Sequence, residues 1–66
     1  MQKAEMAEFI RRARREGVPF DEIDRSLLAE VSTLTASELA EAYREAARRD
    51  EAEAEQIGEF LGARQS

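Results

Sequence analysis

The sequence contains no cysteine and no histidine. Without cysteine no disulfide can staple the fold, and without either residue the ligand sets of structural zinc sites are out of reach. The same two absences remove the side chain most used for acid–base work at neutral pH and the strongest protein nucleophile. Ser26, Ser32, Thr33, Thr35 and Ser37 therefore have no imidazole to activate them. The three glycines stand apart at 17, 58 and 62, so no glycine-rich loop exists to cradle a phosphate. The longest run of large apolar residues is Leu27-Leu28, far short of the roughly 20 residues that cross a bilayer as a helix. Met1-Gln2-Lys3 leads into an amphipathic segment and not into a signal sequence. The expectation is a cytoplasmic protein with no enzyme chemistry, no cofactor and no metal.

What is present favours helix. Twelve Ala, twelve Glu and nine Arg fill half of the 66 positions, and all three are strong helix formers. The large apolar set is small: five Leu, three Ile, two Val, three Phe, one Tyr and two Met. A chain of this length buries only about 60% of its unfolded surface, so it has little stability to spare. With no disulfide or metal available, self-association is the remaining way to add buried area.

The punctuation divides the chain into a single helical domain over residues 1–66. Met6, Phe9, Ile10 and Ala13 recur at i, i+3, i+4 and i+7, predicting a helix over residues 2–16. Gly17 supplies a residue that tolerates positive φ at its end, and Pro19 stops its continuation. A second helix is predicted over 20–31, with the stripe Phe20, Ile23, Leu27, Leu28 and Val31. Val18 and Ile23 sit where a hydrophobic staple belongs if Pro19 is the cap. Thr35-Ala36-Ser37-Glu38 matches a capping box, with Leu34 and Leu39 as a second staple. A third helix therefore starts at Ala36.

Where that helix ends is less simple. Leu39, Tyr43, Ala46 and Ala47 define its stripe, and at 100° per residue the stripe runs on through Asp50, Ala54, Ile57 and Leu61. No Gly or Pro interrupts residues 36–57. The preferred reading is one helix over 36–61, about 40 Å long at 1.5 Å per residue. The competing reading breaks it near Asp50, because Asp50-Glu51-Ala52-Glu53 also resembles a cap with an acidic third residue. The fold class expected is all-α: a small antiparallel bundle of three helices with a long third, or of four short ones. In the long form Ile57, Phe60 and Leu61 overhang the shorter helices. An exposed apolar end of that kind marks an interface, which favours a homodimer or a partner covering that end. Asp50 then lies in an apolar seam and needs an arginine or a cap to satisfy it.

Charge is uneven. Net charge is −5, but residues 1–17 carry five basic against three acidic groups, and residues 18–66 five against twelve. Two polar surfaces stand out. Arg11, Arg14 and Arg15 belong to an arginine run on the first helix. Arg11 and Arg15 are expected to point away from the core, with Arg12 and Arg14 flanking it and Glu8 pairing with Arg12. Asp24 is expected to meet Arg12 or Arg14. Asp50, Glu51 and Glu55 open an acidic stretch continued by Glu59, suited to a basic protein or to the arginines of a second subunit. Glu41 with Arg44, and Glu45 with Arg48 and Arg49, have the spacing of ordinary surface ion pairs.

The function expected is that of a small regulatory or adaptor protein acting by protein–protein contact as a homodimer. Its partner-binding residues are Arg11, Arg14, Arg15, Asp50, Glu51, Glu55, Ile57, Phe60 and Leu61. Two alternatives stand beside it. One is an acidic inhibitor that mimics nucleic acid. The other is a nucleoid-associated transcriptional modulator using the first-helix arginines. For the latter, the second and third predicted helices have the order of a helix-turn-helix. The reading end, however, would present Ser37, Glu38 and Glu41 to the phosphates, and acid there is repelled. Residues 35–49, with Glu38-Leu39-Ala40, Tyr43, Ala46 and Arg49, resemble the third helix of the Hha/YmoA family. That resemblance covers about a quarter of the chain and implies a small helical modulator acting through the nucleoid protein H-NS.

Overall fold

The computed structural model describes residues 1–65, which form four helices. They are α1 (Lys3–Arg15), α2 (Phe20–Glu30), α3 (Ala36–Arg49) and α4 (Glu51–Gln65). α1 and α2 begin and end as the punctuation requires, and α3 begins where it requires. Gly17 takes φ 82°, and it is the one positive φ among the described residues. Val18 N–H returns to the Ala13 carbonyl at 3.0 Å, closing the end of α1. Pro19, in extended conformation, is the N-cap of α2. At α3 the Thr35 hydroxyl accepts from Glu38 N–H at 3.1 Å, while the Glu38 carboxylate accepts from Thr35 N–H at 2.9 Å. Those two bonds satisfy two otherwise unpaired donors, and the Thr35 N–H, with the Thr35 side chain beside it, holds the Glu38 carboxyl below its ordinary pKa. Thr35→Ala removes the hydroxyl acceptor and is expected to cost about 1 kcal/mol, read as a lower urea midpoint, with Thr35→Ser close to wild type.

The continuous rod does not form. Asp50 leaves the helical region at φ −141°, ψ 94°, and α4 starts at the next residue. A helix over 36–61 would be about 40 Å long, whereas the longest dimension of the molecule is 28 Å. The physical reason lies in α1 and α2, which are too short to cover such a rod. Folding back at Asp50 buries the apolar side of α4 against the other helices instead.

The core is built around α1 and α3, which pack on each other, with α4 on α3 and α2 more lightly against α1. Ile10, Ala7, Ile23, Leu27, Leu39, Ala42, Tyr43, Ala46 and Ile57 are all essentially sealed from solvent. Phe60 and Leu61 are partly buried and packed against that cluster. The expected overhang of Ile57, Phe60 and Leu61 is thus corrected: Ile57 is 1% exposed, and all three help to close the core. Leu28, expected in the α2 stripe, is 44% exposed. No helix among the described residues is long and apolar enough to cross a membrane.

Candidate functional site

Two polar clusters tie α4 to the rest of the molecule. The first is a stack of four planar groups. The Arg14 guanidinium of α1 lies 4.1 Å over the ring of Phe20 on α2. That ring stacks face to face on Phe60 of α4, with centroids 4.4 Å apart. The Arg64 guanidinium sits 4.9 Å from the Phe60 centroid. Tyr43 of α3 meets both rings edge-on, at 5.9 and 5.2 Å. Cations over ring faces and edge-to-face aromatic pairs are each favourable by about 0.5–1.5 kcal/mol when partly buried.

Hydrogen bonds fix the ends of this stack. Arg14 Nε donates to Glu53 at 2.9 Å, and Arg14 also donates to the Val18 carbonyl at 3.0 Å. At the other end Asp24 accepts from the Tyr43 hydroxyl at 2.6 Å and pairs with Arg64 at 2.9 Å. Burial, and then the Asp24 carboxylate, push the Tyr43 phenol well above its ordinary pKa. The phenol is therefore a fixed hydrogen-bond donor, and with no solvent exposure it cannot meet a substrate. Asp24 pairs here with Tyr43 and Arg64, not with Arg12 or Arg14 as its α1-facing position suggested. Once α4 folds back, Arg64 is the cation it faces.

The second cluster sits at the bend. Arg11 Nε lies 3.5 Å from the Asp50 carboxylate, and Arg15 lies 4.0 Å from it. Asp50 thus caps the junction in contact with α1, and it does not sit in an apolar seam. Arg11 is correspondingly turned inward, with its side chain 21% exposed, where the helical wheel pointed it outward. Glu8 pairs with Arg11 at 2.7 Å, one residue earlier than the expected Arg12, and lies 3.5 Å from Arg49. These cations hold the Glu8 carboxyl below its ordinary value, as Arg48 and Arg49 do for Glu45. The pairs Glu41–Arg44, Glu45–Arg48 and Glu45–Arg49 form at 2.6–2.8 Å as their spacing predicts.

The nine residues singled out in the sequence thus divide into three groups. Arg11, Arg14 and Arg15 meet Asp50 and Glu53 within one chain, the same charge pairing expected between two subunits. Ile57, Phe60 and Leu61 belong to the core. Glu51 and Glu55 are exposed and without an ion pair, whereas Arg15, also exposed, reaches Asp50. With Glu59 they form a row along the outer side of α4, at i, i+4 and i+8, with steps of about 6 Å. None of the three has an ion-pair partner among the described residues. The lowered carboxyls of Glu8, Glu38 and Glu45 suit groups that stay ionised, not general acids that must hold a proton near neutral pH. Among the described residues no group of three or more acidic side chains is placed to hold a metal.

Sequence reasoning missed Glu53, Tyr43 as a polar hub, and Arg64. Their partners lie on other helices, so no local spacing announces them. A further surface is the shallow groove between α1 and α2, floored by Phe9, Ala13 and Val18 and rimmed by Arg12, Glu16, Glu22 and Arg25. Comparison with family models, characterised proteins and solved structures finds no match to this chain, so the resemblance of residues 35–49 gains nothing beyond those residues.

Proposed function

We propose that the chain is a small non-enzymatic adaptor whose α4 docks a basic protein surface through Glu51, Glu55 and Glu59. The observation that carries this reading is the row itself. Like charges at i, i+4 cost a few tenths of a kcal/mol per pair, and the other charges on the inner side of α4 are matched within the fold whereas these are not. Exposed carboxylates of this kind contribute modestly to affinity, about 0.2–1 kcal/mol per pair. Their larger effect is on the association rate and on partner choice.

The alternative of a nucleic-acid binder is weakened by the same geometry. Arg11 and Arg14 are partly buried and engaged with Asp50 and Glu53, so phosphate binding would have to break contacts that hold α4 in place.

The test is affinity capture from the source cell with wild type and with Glu51→Gln/Glu55→Gln/Glu59→Gln, cross-linking the captured protein before digestion. All three side chains are exposed, so the variant should keep its helical signal. The expected result is a basic protein retained by wild type in low salt, lost by the variant, and cross-linked to α4. Equal capture by both proteins, or cross-links confined to the α1–α2 groove, would refute the reading.

A further inference from the structure

We infer that the surface covered by α4 also accepts the α4 of a second copy of this chain, giving a dimer by exchange of that helix. The argument begins with the junction. A single residue, Asp50, separates α3 from α4, and no Gly or Pro occurs between residues 36 and 57. The apolar stripe keeps its phase through the bend. Leu39 and Ile57 are eighteen residues apart, as are Tyr43 and Leu61, which is five turns at 3.6 residues per turn. A straightened α3–α4 therefore keeps Leu39, Tyr43, Ile57 and Leu61 on one face, with only Ala46, Ala47, Asp50 and Ala54 between them there and with α4 by itself weakly amphipathic.

Straightening also has a local return. The end of α3 leaves backbone carbonyls without helical partners, and the start of α4 leaves N–H groups without them. One continuous helix pairs these two sets with each other. Against it stand the contacts of Asp50 with Arg11 and Arg15, at 3.5 and 4.0 Å. The contacts that hold α4 itself are not lost in an exchange. Phe60 on Phe20, Glu53 on Arg14 and Arg64 on Asp24 re-form with the same chemistry between two chains. The balance between the closed monomer and the exchanged dimer is therefore set at the hinge and by concentration, the usual condition for this kind of assembly.

Two substitutions move the hinge in opposite directions. Asp50→Ala removes the carboxylate that α1 holds and supplies the strongest helix former. Glu51→Pro fits the closed form, because proline suits the first helical position and Asp50 before it is already extended. In a continuous helix the same proline would delete a backbone bond and clash with the preceding turn.

Each protein is refolded from denaturant at millimolar concentration and examined by light scattering. Mixed labelled and unlabelled samples are then examined by isotope-filtered NMR. Wild type is expected to yield a dimer fraction. Asp50→Ala should lower the dimer dissociation constant about tenfold or more, and Glu51→Pro should remain monomeric. The dimers should show contacts between Phe20 of one chain and Phe60 of the other. The inference is overturned if wild type and Asp50→Ala both stay monomeric, if Glu51→Pro dimerises equally, or if the dimer lacks the interchain Phe20–Phe60 contact. If Asp50→Ala does not fold, the comparison of wild type with Glu51→Pro decides by itself.

Discussion

Ile57→Asp is expected to abolish the fold and not merely to dissociate an assembly. Ile57 is 1% exposed and lies within the core cluster formed by all four helices. Truncating a buried isoleucine to alanine costs about 2–5 kcal/mol, and a carboxylate in its place adds the penalty of an unpaired buried charge. Stability of about 0.05–0.15 kcal/mol per residue gives a chain of this length roughly 3–10 kcal/mol in total. The substitution should exhaust most or all of that. Far-ultraviolet circular dichroism is the check, with loss of helical signal as the expected outcome. A variant that stays fully helical and only changes its oligomeric state would show that Ile57 sits on an exposed end after all.

Tyr43→Ala should be nearly as damaging, by about 3–5 kcal/mol for a buried aromatic. It removes the edge that braces both Phe20 and Phe60, and it leaves Asp24 with Arg64 alone. Tyr43→Phe keeps the ring and removes only the hydrogen bond to a charged acceptor, so a loss of about 1.5–3 kcal/mol is expected. Urea midpoints of the two variants would separate the packing contribution from the polar one. A pH series adds a second signature. The phenol is held above its ordinary value of 10.0 by burial, with Asp24 adding to the effect. As pH rises past 10 the unfolded chain gives up the phenolic proton first, so the contribution of Tyr43 is whole below pH 10 and shrinks above it. Wild type should therefore lose stability above pH 10 more steeply than Tyr43→Phe. Parallel pH curves for the two would show that the phenol does not resist ionisation in the folded state.

The parts of the fold that could be read from the residues are the parts decided locally. Gly17 and Pro19 separate α1 from α2, and Thr35 with Glu38 starts α3, because a positive φ, a missing N–H and a reciprocal cap act within a few residues. The same holds for the Glu45 pairs with Arg48 and Arg49. The bend at Asp50 is different. Apolar phase is identical for a rod and for a hairpin when Leu39 and Ile57 are five turns apart, so periodicity cannot choose between them. The choice falls to burial of Ile57, Phe60 and Leu61 and to Arg11 and Arg15 on another helix. The arginines of α1 are opposite in sign to the acidic start of α4, and within the chain Arg11 and Arg15 meet Asp50 and Arg14 meets Glu53. Whether that match is made within one chain or between two depends on which way the hinge points, and charge alone carries no such information.

The position of Tyr43 also equips the chain with its own optical reporter. It is the one tyrosine, and there is no tryptophan, so ultraviolet emission comes from a single side chain with no brighter fluorophore to mask it. That side chain touches α2 through Phe20 and Asp24 and α4 through Phe60. Its fluorescence therefore follows the docking of the second and fourth helices onto the third, and the opening of α4 can be timed without attaching a dye.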